Sequence, residues 1–164
     1  MAITEQLSLL YSAHLDSSDT PLDRDQWEAE NTTFAGIPAR DFAAFLRGYV
    51  VCALWSSTDG ENETLQGLGW GEGELAKRTD ECAAFVSLAL PLLLQYAEQA
   101  THSPEYSRWE LAGHDFWLTR NGHGVGFWDR GLDQLGDDLS ALCGYGTACP
   151  PVEPYVGDDG HVYS

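Results

Sequence analysis

Lysine is nearly missing from this sequence. Lys77 and seven arginines make eight basic side chains against 26 aspartates and glutamates and five histidines, for a formal net charge of -18 over 164 residues. So negative a chain repels nucleic acid, anionic membranes and acidic substrates unless a local basic patch overrides the field. The cations are scattered, most with an acidic residue a few positions away, and no such patch is visible. Long apolar runs are lacking as well. The longest, Leu88 to Leu94, falls far short of the ~20 residues a membrane span needs. The amino terminus has neither the basic segment nor the apolar core of a secretion signal. These absences predict a soluble, cytoplasmic protein without direct contact to nucleic acid or membrane.

Cysteine is sparse. Cys52, Cys82, Cys143 and Cys149 are widely spaced among aliphatic residues, which favours reduced, mostly core-packed thiols. The C-x5-C pair of Cys143 and Cys149 leaves open a small closed loop or a shared metal. No G-x-S-x-G, P-loop or H-E-x-x-H motif is present, and the Gly-x-Gly pairs at 67–73 and 122–126 lack the strand-to-helix context of a phosphate cradle. No cofactor is expected.

What is present is a composition able to fold. The chain is 43% hydrophobic, with six Trp, seven Tyr and six Phe, unlike a disordered acidic tail. Its length fits a single domain over 1–164, with an acidic amino-terminal extension over roughly 1–35 and a Gly- and acid-rich mobile loop over roughly 56–73. Leu7, Leu10, Tyr11 and His14 have helical spacing. The segment from Asp16 to Glu30 reads as an acidic loop holding at most one helical turn. Pro38 opens a helix whose stripe runs from Phe42 to Trp55, and helix signals resume at Glu74. Leu88 to Leu94 should be buried on most sides, with a kink or break near Ser87 to Leu90 caused by Pro91. Leu132, Leu135, Leu139 and Leu142 mark another helix, closed by Gly144.

Between these helices the reading changes to strand. Trp109 to Leu118 and Gly124 to Trp128 are aromatic-rich runs flanking Asn121-Gly122, a strong hairpin signal. Tyr155-Val156 and Val162-Tyr163 flank a second turn. The expected fold class is α+β, with three to four helices packed on a small antiparallel sheet built from a central hairpin (112–128) and a carboxy-terminal strand pair.

Two constellations invite a function. His114, Asp115, His123 and Asp129 gather near the hairpin and allow a metal-dependent hydrolase centred on His114, His123 and Asp129, but the register separates His123 from His114 and Asp129 by three pairs, ~10 Å at the rise of a strand. A cross-strand His114 to Asp129 hydrogen bond is the plainer reading. The second is the carboxylate array: Asp16, Asp19, Asp23, Asp25, Glu28 and Glu30; Asp59, Glu61, Glu63, Glu72 and Glu74; Asp133, Asp137 and Asp138. B-form DNA carries one negative charge per ~1.7 Å of axis, so a rigid acidic surface can imitate it and occupy a basic groove. A solvated surface of the halophile type is the alternative.

The segments CALWSSTD (52–59), AGHDFWLTRNGHGVGFWDRG (112–131) and YVGDDGHVY (155–163) resemble a family of small acidic proteins from phages, prophages and other mobile elements. The family offers no catalytic residues to carry across. The resemblance implies a non-enzymatic inhibitor of host defence, of the anti-CRISPR or antirestriction kind, acting as a monomer or homodimer on a basic nucleic-acid-handling host protein. A phage structural or assembly protein is the other role it admits. The chain departs from the family in its first 35 residues and in the glycine-rich loop at 60–73.

Overall fold

A computed structural model describes residues 23–58, 60, 64–101 and 103–164. The amino-terminal helix read around Leu7 to His14 lies outside them, as do Asp16, Asp19, Asp59, Glu61 and Glu63. The described chain is α+β: five helices and two small antiparallel sheets of two strands each. No helix among the described residues is long and apolar enough to cross a membrane.

Helix α1 (Arg24–Asn31) starts where the Asp23 carboxylate accepts a hydrogen bond from the Gln26 amide, filling one of the orphan donors of a helix start. The described end of the acidic segment, from Arg24 on, is thus two helical turns rather than a loop. Strands β1 (Thr33–Phe34) and β2 (Ile37–Pro38) form a tight hairpin. Its turn residues Ala35 and Gly36 both have positive φ, 53° and 92°, as a type I′ turn requires. Helix α2 (Ala39–Ser56) follows Pro38, as the stripe predicted.

Helix α3 (Glu74–Gln99) runs unbroken through Pro91. The expected break does not occur, and Leu88 and Leu94 are half exposed rather than buried. One face of α3, with Cys82, Phe85, Val86, Ala89, Leu93 and Tyr96, supplies the core, and an apolar residue opposite that face has nothing to pack on.

The central hairpin is overturned. Residues Arg108–Arg120 form helix α4, started by a capping box in which Ser107 accepts from the Glu110 amide and Glu110 accepts from the Ser107 amide. Asn121-Gly122 ends this helix, Gly122 taking φ +69°, the left-handed position a helix terminus shares with a hairpin turn. A 3₁₀ turn (Phe127–Asp129) and helix α5 (Gln134–Ala141) follow. Strands β3 (Tyr155–Val156) and β4 (Val162–Tyr163) then pair as predicted, with β4 also bridging Trp70 in parallel and no central hairpin beside them.

The core is aromatic. Phe85 of α3 stacks on Phe116 of α4 with centroids 3.8 Å apart, Tyr49 of α2 meets Trp117 edge-on at 5.2 Å, and Phe127 meets Tyr96 edge-on at 5.5 Å. Helices α2 and α4 approach backbone to backbone because their crossing is made of glycine. A Cβ on Gly113 would lie 2.0 Å from the Phe45 carbonyl oxygen, and one on Gly48 2.2 Å from that of Glu110. The later part of the glycine-rich loop is pinned rather than loose: the Val162 amide donates to Gly69, the Gly71 amide donates to Val162, and Leu65 is buried.

Candidate functional site

Every basic side chain has a task inside the fold. Arg24 pairs with Glu28, Arg40 with Glu30 and Asp41, Arg47 with Glu110, and Lys77 with Glu74. Arg78 and Arg120 share Glu81, and Arg130 pairs with Asp115. Arg108, without a carboxylate, donates to the Ala97 and Glu98 carbonyls at the end of α3, where a cation suits the helix dipole.

Three of these arrangements are partly or wholly buried. Asp115 is fully buried, receives two Arg130 nitrogens at 2.5 and 2.9 Å, and accepts from the Tyr96 hydroxyl at 2.8 Å. The Tyr96 phenol is pushed above its ordinary range, first by burial and then by this carboxylate. Arg120, 3% exposed, donates to the Tyr49 hydroxyl, Glu81 and the Pro150 carbonyl. Glu74 is 2% exposed. Burial acts to raise its pKa, yet hydrogen bonds from Lys77 and Ser164 hold it below the usual carboxylate value. Its place in the acidic surface is therefore corrected: Glu74 ties the first turn of α3 to the carboxy terminus.

The exposed carboxylates are the complement. Asp23, Asp25, Glu72, Asp80, Glu98 and Glu105 are exposed, as are Asp129, Asp133, Asp137, Asp138, Glu153 and Asp158. Among the described residues none of these has a basic group within 4.0 Å. The predicted residues fall in separate places. Asp23, Asp25, Glu28 and Glu30 lie on or beside α1, with Glu28 and Glu30 already paired. Glu72 precedes α3, and Asp133, Asp137 and Asp138 lie along α5, where Asp138 accepts from Gln134. Asp129 on the 3₁₀ turn extends the α5 group. Asp80, Glu98 and Glu105, on and after α3, escaped the sequence reading although the stripe of α3 points its opposite face outward.

The histidine constellation does not assemble. His114 sits half-buried on α4 with its ring 5.0 Å from Tyr106, and burial lowers its pKa. His123 lies beyond the end of the same helix, and Asp129 is exposed on the 3₁₀ turn. The expected His114 to Asp129 bond is replaced by the neighbouring pair, Asp115 with Arg130. No group of three or more His, Cys, Asp or Glu among the described residues is placed to hold a metal ion.

A cavity of about 440 Å³ opens where α2 and α4 end. Ser56, Trp117, Arg120, His123, Tyr145 and Glu153 are among the residues that line it. Tyr145, among its lining residues, is 87% exposed. No family model, curated protein or solved structure matches the chain.

Proposed function

We propose that this protein is a non-enzymatic inhibitor encoded by a phage or other mobile element, which docks its exposed carboxylates on the basic surface of a nucleic-acid-handling host defence complex. The observation that supports this reading is the division of charge. All eight cations are occupied within the fold, so the unpaired surface charge is anionic. Such a surface meets a basic cleft without rearranging its own ion pairs, and long-range attraction speeds encounter. Occupying a DNA-binding groove by imitation of phosphate spacing is the mode of inhibition that follows.

The test is capture of partners from host lysate with tagged protein, washed at low and at high salt, with duplex DNA as competitor. The expected result is one nucleic-acid-binding complex, retained at low salt and released by DNA or by salt. Replacing Asp133, Asp137 and Asp138 with Asn should weaken capture if α5 is the docking face. A folded protein that captures nothing at either salt overturns the proposal.

A further inference from the structure

We propose that Cys143 and Cys149 are a redox modification site, forming a reversible disulfide that clamps the Tyr145 loop lining the cavity. The two residues are bridge partners between adjacent parallel segments, held by the Gly144 amide donating to the Cys149 carbonyl at 2.9 Å. Paired positions on neighbouring strands lie ~4.8 Å apart and point their side chains to one face. That separation is inside the roughly 4.4–6.8 Å Cα range usual for a disulfide, and closure requires the Cys143 thiol to turn from the Leu139 carbonyl to which it donates. The thiols also sense each other: burial first, and then Cys149, lift the Cys143 thiol to about 12.

The loop between them is built to close. Gly144 and Gly146 take φ of +105° and +78°, and Thr147 donates its hydroxyl to the Gly144 carbonyl while accepting from the Cys149 amide. The other thiols are poor competitors. Cys52 lies fully buried on α2, donating to the His114 carbonyl, and Cys82 is fully buried on the core face of α3. Raised thiol pKa values keep thiolate scarce at neutral pH and so slow the oxidation.

A peroxide is the matching oxidant. One thiolate attacks a peroxide oxygen, the O–O bond breaks, and hydroxide leaves to give a sulfenic acid. The second thiolate then attacks that sulfur, the S–O bond breaks, and a second hydroxide leaves. The two released thiol protons convert both hydroxides to water, so two electrons pass from the sulfurs to hydrogen peroxide. This site is independent of the partner reading, since it needs only the chain and an oxidant.

The experiment treats reduced, folded wild-type protein with hydrogen peroxide and maps the product by mass spectrometry. The expected product is a loss of ~2 Da, one Cys143 to Cys149 cross-link, and full reversal by dithiothreitol. The rate should rise about tenfold per pH unit between pH 7 and 9, following the thiolate fraction. Amide exchange at Tyr145 and Gly146 should slow in the oxidised form. Cys143→Ser and Cys149→Ser should each abolish the mass loss. A cross-link to Cys52 or Cys82, or oxygen added to Cys143 and Cys149 without a cross-link, overturns the proposal, as does leaving both thiols open to alkylation.

Discussion

Asp115 shows at the residue scale how an acidic chain uses its few cations. Its carboxylate is fully buried and receives Arg130 through two nitrogens and Tyr96 through a hydroxyl, so its desolvation is offset by charge-assisted hydrogen bonds. Arg130 is 37% exposed and keeps part of its hydration, which lowers what the pair contributes. Asp115→Asn retains the shape but removes the charge, and should cost about 2–3 kcal/mol. Tyr96→Phe should cost nearer 1 kcal/mol, because it deletes one neutral donor and leaves the ion pair. Urea unfolding of both variants measures the difference. Equal losses would mean that the Arg130 pair adds nothing beyond an ordinary hydrogen bond. A buried Asp and a buried Arg120 on one helix also explain why α4 was hard to read, since both interrupt the apolar stripe that marks a helix.

Helix α4 is where sequence and structure part at the scale of elements. Aromatic residues and Asn121-Gly122 argued for a hairpin, yet Asn-Gly serves equally at a helix end. Ser107 and Glu110, three apart, carried the helix signal. The stripes of α2, α3 and α5 and the terminal strand pair were readable because their apolar positions keep one period. Gly48 and Gly113 were not readable, because a glycine crossing is a relation between two distant segments. That crossing fixes how closely α2 and α4 pack, and with it the cavity at their ends. Gly113→Ala places a methyl carbon 2.0 Å from a backbone oxygen, where no rotamer relieves the clash. The two helices must separate, at a cost of about 3 kcal/mol. For a chain of this size that lowers Tm by roughly 6–12 °C. Gly124→Ala, with nothing within 4 Å of the added carbon, is the control and should stay within about 0.5 kcal/mol of wild type. Thermal unfolding of the pair decides the matter, and a Gly113→Ala variant as stable as the control would disprove the tight crossing.

For the whole molecule the governing quantity is the charge of -18. The acidity was plain from composition, but its division into paired and unpaired groups was not, because ion pairs such as Arg120 with Glu81 join residues far apart in sequence. Two exposed carboxylates 10 Å apart repel by about 0.4 kcal/mol in water, and the unpaired groups make many such pairs. Exposed attractions such as Arg24 with Glu28 return about 0.3–0.5 kcal/mol each, so repulsion wins at low ionic strength. Salt should therefore stabilise the protein. Between 10 mM and 0.2 M NaCl the Debye length falls from roughly 30 Å to below 10 Å, and Tm should rise over that interval and then level. Capture of a basic partner should fall over the same interval, because the same screening weakens attraction between unlike surfaces. Opposed salt slopes for Tm and for binding are the signature of a surface shaped for a cationic partner. A Tm that keeps climbing into molar salt, with the chain unfolded below it, would instead place the acidity with halophile-type solvation, where the carboxylates serve hydration and need no partner.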